Sequence, residues 1–186
     1  MRSIYALAIS LALLMTTAGL ATAQPQPYQQ MASKQQAIQT VIARGLAQRG
    51  VPFSYGGGDV SGPTRGSGPA TNVAGINPEG RIVGLNPAVD VVGFDASGLM
   101  VYAFAGVGVK LPRSSGAQYK VGQKVTAAQA LPGDLIFYGP EGNDSVALFI
   151  GNGQMLEVAD TGVTVSPVRT ANMAPYLSRI LSLIHI

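Results

Sequence analysis

The hydrophobic pattern changes period part-way along the chain, and that change does most to limit the fold. From Ser33, the residues Ile38, Val41, Ile42 and Leu46 recur at helical spacing, with Gly50 placed as the stop. Asp95-Ala96-Ser97 then precedes an apolar run, Leu99 to Val107, ended by Gly106 and Gly108. Asp95 suits the N-cap position, because its carboxylate can accept from N–H groups that a helix start leaves unpaired. Ala96 therefore falls in the first helical turn. Beyond Leu131 the pattern is short and extended. Leu131-Pro132-Gly133-Asp134 leads into a strand at 135–138, and segments 146–150 and 154–158 flank Gly151-Asn152-Gly153, a hairpin signal. Segments 163–168 and 178–184 complete an antiparallel sheet of about five to six strands. Helices first and antiparallel strands afterwards predict an α+β domain.

The flanks and the centre are different in kind. Met1-Arg2-Ser3 is a short positive start, Ile4 to Leu20 is mostly apolar, and Ala21-Thr22-Ala23 is a small-x-small cleavage box. That is the pattern of a secretory signal peptide over residues 1–23, with an uncleaved membrane anchor as the alternative. Residues 24–32 form a Pro/Gln leader, expected to be mobile. The folded domain is then 33–186. Within it, residues 59–90 are rich in Gly, Pro, Asn and Thr and predict a long surface loop with a weak hairpin at Arg81 to Leu85. Such loops are either functional or tolerated insertions. Residues 110–129 read as a polar connection with one helical piece near Ser115.

Composition removes several chemistries. Among 186 residues there is no Cys, no Trp and one His, His185 near the end. No disulfide, thiolate metal site or cysteine nucleophile is available, and no internal imidazole can act as a base. No metal or other cofactor is expected. The net charge of +3 is too small and too scattered for nucleic-acid binding. Gly56-Gly57-Gly58 lacks the Lys-Ser/Thr of a phosphate loop.

The order of several short runs resembles one family, the NlpC-type peptidases, small papain-like enzymes that cut peptidoglycan stem peptides. The runs are Pro52-Phe53-Ser54-Tyr55-Gly56-Gly57, Gly93-Phe94-Asp95-Ala96-Ser97-Gly98-Leu99, Leu111-Pro112-Arg113-Ser114-Ser115, Pro132-Gly133-Asp134-Leu135-Ile136-Phe137-Tyr138 and Val146-Ala147-Leu148-Phe149-Ile150-Gly151-Asn152-Gly153. The resemblance implies a minimal papain-like fold. It also implies a nucleophilic Cys at a helix N-terminus, where the helix dipole favours the thiolate. A His on a hairpin strand is the implied base, and a third polar group orients it.

Carried onto this chain, those positions are Ala96, Ser145 and Glu157. Ala96 has no heteroatom to attack a carbonyl. Ser145 carries a hydroxyl that cannot take a proton near neutral pH. Glu157 can accept hydrogen bonds but has no imidazole to orient. The resemblance therefore implies an inactive member that binds the peptidoglycan stem peptide, in the cell wall or periplasmic space, as a monomer. Asp95 and Ser97, which flank the lost nucleophile, are expected to line the ligand groove with Phe53, Tyr55, Arg113 and Ser114. Active relatives tend to have Tyr where this chain has Phe53. Asp95 could pair with a ligand ammonium or serve only as a cap. Lys110, Arg113, Lys120 and Lys124 could form a basic rim for ligand carboxylates or a solvated face. Tyr55, Tyr102, Tyr119 and Tyr138 are divided between groove and core. Two other functions stay open: a hydrolase using an unrecognised Ser nucleophile, and an interaction module docking on cell-wall enzymes through the 59–90 loop.

Overall fold

The structure is a computed structural model that describes residues 27–66, 75–76, 82–83 and 91–182. The segment expected to be a signal peptide and most of the 59–90 loop lie outside the described residues. No described helix is long and apolar enough to cross a membrane.

The first helix, α1 (Pro27–Leu46), starts inside the stretch expected to be a mobile leader. Pro fits the first turn of a helix, where its missing N–H would have no partner, and the Gln, Ala and Lys residues that follow favour helix. Gly50 at φ +85° turns the chain out as expected. The segment at 51–54 forms a single parallel bridge, Phe53 to Phe94, rather than a strand, and Tyr55 and Gly56 turn away from it. Short strands β1 (Thr64–Arg65) and β4 (Val92–Gly93) pair antiparallel. The hairpin expected at Arg81 to Leu85 is displaced: β3 (Ile82–Val83) is one arm only and pairs antiparallel with β2 (Gly75–Ile76).

Helix α2 (Ala96–Ala105) is apolar on nearly every side, and a helix of that kind is stable only when surrounded. It packs between α1 and the sheet, burying Leu99, Met100 and Phe104 completely. The predicted helical piece is α3 (Ser115–Tyr119), capped by the Ser114 hydroxyl, which accepts from Ala117 N at 3.3 Å.

The sheet is six-stranded and antiparallel in the order β5 (Gln123–Val125), β10 (Leu177–Arg179), β6 (Leu135–Tyr138), β7 (Ser145–Gly151), β8 (Gln154–Ala159), β9 (Gly162–Pro167). Alternation divides its side chains between two cores. Leu135, Phe137, Val146, Leu148 and Leu156 face the helices. Ile136, Tyr138, Ala147, Met155 and Leu177 form a smaller cluster on the other face. Strand β5 corrects the reading of 110–129 as a connection. Only Val125 of its three residues is buried, so it carries no hydrophobic alternation to detect. The last strand is also shorter than predicted, ending at Arg179.

Candidate functional site

The site is built around the start of α2. Segment 52–58 runs beside 93–95, with Phe94 N donating to Pro52 O, Ser54 N to Phe94 O and Asp95 N to Gly57 O at 2.9–3.1 Å. The backbones can approach this closely because the facing residues are glycine. A Cβ on Gly98 would lie 2.1 Å from Gly57 O. Asp95 caps α2 as expected, its Oδ1 accepting from Gly98 N at 2.6 Å.

Asp95 has a second partner that the sequence did not reveal. The Arg113 guanidinium binds both carboxylate oxygens, Nη1 to Oδ1 at 2.8 Å and Nη2 to Oδ2 at 2.9 Å. The same guanidinium donates to Ser97 Oγ at 2.9 Å and to Gly57 O at 2.8 Å. Ser97 Oγ in turn donates to Asp95 Oδ1 at 3.0 Å. A bidentate pair of this geometry neutralises both charges locally. Arg113 is thus no free cation of a basic rim, and Asp95 no free anion waiting for an ammonium. Below them Gln118, fully buried, donates from Nε2 to Ser97 O (3.0 Å) and Pro112 O (2.8 Å) and ties α3 to the first turn of α2.

A cleft of about 530 Å³ opens in front of this network. Its lining brings together Phe53, Tyr55, Asp95, Ala96, Ser97, Arg113, Ser114 and Ser145, all the residues expected there, and adds Ser115, Asn143, Asp144 and Val158. Ala96 is the first residue of α2 and Ser145 the first of β7, so both positions carried over from the family face one cleft. Ser145 Oγ has no hydrogen bond to a described residue. Tyr55 stands exposed on the wall.

Glu157 is not part of that lining. It sits on β8, buried, with its carboxylate accepting from Arg169 Nη1 at 2.6 Å and from Ser166 Oγ. Burial alone would push its carboxyl above the usual range, but the hydrogen bonds from Arg169 and Ser166 outweigh burial and hold it below.

The other expected contributors lie elsewhere. Lys120 is exposed and meets Glu141 at 3.9 Å. Lys124 sits 3.6 Å over the Tyr119 ring and donates to Ser178 Oγ, and burial lowers its pKa. Lys110 borders a separate apolar hollow with Leu111, Val121 and Ile180. The basic rim is therefore not assembled: spacing along a connection that folds into a helix and an edge strand does not carry over into space. Tyr102 packs on Phe94 under Arg44, Tyr119 on Phe137, and Tyr138 is buried in the second core. Of the four tyrosines only Tyr55 lines the cleft.

The model for the NlpC/P60 family matches residues 50–182, the stretch that builds both walls of this cleft. The chain belongs to the NlpC/P60 family. Among solved structures it is similar to the P60 domain of the Mycobacterium avium paratuberculosis antigen MAP1272c, at 58% identity and TM-score 0.69 over 81% of this chain and 97% of that one. It is also similar to RipD from Mycobacterium tuberculosis, described as a non-catalytic NlpC/p60 domain protein adapted to peptidoglycan binding, at 59% identity and TM-score 0.66 over 77% of this chain and 97% of that one. The α+β, papain-like fold read from the sequence is that of these P60 domains. The peptidoglycan endopeptidase RipA of Mycobacterium tuberculosis is 47% identical over 146 residues, which cover 77% of this chain and 27% of RipA. The chain thus spans about a quarter of that relative's length. RipA has been solved with mutations at a cysteine, a histidine 49 positions later and a glutamate 12 positions beyond that. Ala96, Ser145 and Glu157 are separated here by the same 49 and 12 positions.

Proposed function

We propose that this chain is a non-catalytic peptidoglycan-binding domain of the cell envelope, exported by its N-terminal signal, which holds stem peptides in the family's cleft without cutting them. The observation that carries this reading is an intact cleft with an alanine at its chemical centre. Ala96 heads α2 between Asp95 and Ser97, where a helix terminus would favour a thiolate, and it has no atom to attack with. Ser145, across the cleft, cannot serve as a base. The matching separations in RipA support assigning these two as the positions of a lost nucleophile and a lost base, and Glu157 as the member that keeps its identity. The description of RipD supports ligand binding as what such a domain does afterwards.

A serine hydrolase is disfavoured by the same geometry. Ser97 Oγ lies between a guanidinium and a carboxylate that the guanidinium already holds, so no free base is placed to take its proton. The test pairs two assays on one protein sample. Co-sedimentation with purified cell wall should carry the protein into the pellet at low and moderate salt, and stem-peptide cleavage should be absent. Protein left wholly in the supernatant, or cleavage abolished by Ser97→Ala, would overturn the reading. The double variant A96C with S145H should gain at most slight endopeptidase activity, because Glu157 is held by Arg169 and Ser166 rather than lining the cleft.

A further inference from the structure

Among the described residues, the charge balance of the cleft leaves one carboxylate unmatched. Asp95 and Arg113 cancel each other through two hydrogen bonds. Asp144, on the opposite wall beside Ser145, has no cationic partner among the described residues. Its carboxylate is nevertheless held in position. Asn172 Nδ2 donates to Oδ2 at 2.9 Å, and the Asp144 N–H is tied to Tyr138 O at 3.0 Å. The carboxylate lies over Gly139, where a Cβ would come within 2.2–2.5 Å of its atoms. Gly139 has φ +81° and donates to Asn172 O at 2.8 Å, so two loops fix the acid from below.

We propose that Asp144 is the cleft's recognition group for a primary ammonium, and that it selects stem peptides whose diamino residue has a free side-chain amine over those in which that amine is acylated in a cross-link. The inference rests on the peptidoglycan-binding reading above and deepens it. The physical ground is competition. An ammonium approaching Asp95 must displace a bidentate guanidinium, whereas at Asp144 it meets a carboxylate with open lone pairs and a single neutral donor. The flanking Ser145, Asn143 and Ser115 offer hydroxyl and amide groups for the peptide backbone. Acylation removes the charge and leaves Asp144 facing a neutral amide.

The experiment measures binding of the purified protein by calorimetry to a synthetic stem peptide with a free side-chain amine and to its acetylated twin. The same sample is tested by cell-wall co-sedimentation. The free-amine peptide should bind about tenfold tighter at low salt, the scale of one charge-assisted hydrogen bond, with the preference shrinking as salt rises. Asp144→Asn should bring the two peptides within about twofold while keeping the Asn172 contact and the melting curve. Asp160→Asn, an exposed acid outside the cleft, should leave the preference intact. Equal affinity of the wild-type protein for both peptides overturns the proposal, and needs no variant to fold. A preference that persists in Asp144→Asn does the same. Wall binding with neither peptide bound overturns this proposal and the stem-peptide part of the reading above but leaves wall binding standing, whereas failure to bind wall and both peptides sinks both.

Discussion

The two walls of the cleft are built on different terms. On the helix wall the charged and amide side chains do structural work. Asp95 caps α2, Arg113 braces Asp95 and Gly57, and Gln118 joins α3 to Ser97 O. On the strand wall Ser145 Oγ contacts no described hydrogen-bond partner, and Asp144 holds only a neutral one. On the proposed binding reading, the difference is between what such a scaffold must keep and what it can lose. Groups that hold the fold together persist because their loss costs stability. A base at the head of β7 holds nothing in place, so its position can be emptied at little cost to folding.

Asp95→Ala should break the helix wall hardest. It removes a cap, about 1 kcal/mol, and strands the Arg113 guanidinium beside Gly57 O. Because Arg113 is about half exposed, water recovers part of that loss. The expected destabilisation is about 2–3 kcal/mol, read as a shift in urea midpoint at unchanged slope. A loss below about 0.5 kcal/mol would erase the contrast between the walls.

Behind the strand wall, Glu157 makes a prediction in pH. Its carboxyl is held below the unfolded value, so its contribution is present above the unfolded carboxylate range of about 4.3 and is lost as pH falls through the folded value. Glu157→Gln should therefore flatten the acid limb of the stability profile below about pH 4. Urea unfolding at neutral and acid pH would show it, and an unchanged acid limb would refute it. The smallest effect belongs to Ser145→Ala, expected within about 0.5 kcal/mol of the parent. A larger loss would show that the strand wall is structurally bound after all.

Much of the site was legible because its signals are local. The Asp95 cap lies three residues from Gly98, whose N–H it accepts, and the turn at Asn152 lies within its own hairpin. Strand β5 was not legible, because an edge strand with one buried residue is held by pairing with β10, far along the chain. The start of α1 at Pro27 was obscured by reading Pro and Gln as leader composition rather than as residues that suit a first turn. Whether the four cations of 110–124 form a rim or a solvated face was not legible, because sequence proximity says nothing of which side each faces.

What the sequence determined by itself is the chemistry that is missing. No fold can supply a thiolate or an internal imidazole to a chain without Cys and with one His near its end. It also determined the α+β order, since hydrophobic period is a property of consecutive residues. Only the tertiary structure decided which charges cancel. Asp95 meets Arg113 from eighteen residues away, and Asp144 is left without a cation among the described residues. Pairing between charges depends on distances across the fold, and those exist only once helix and sheet have packed.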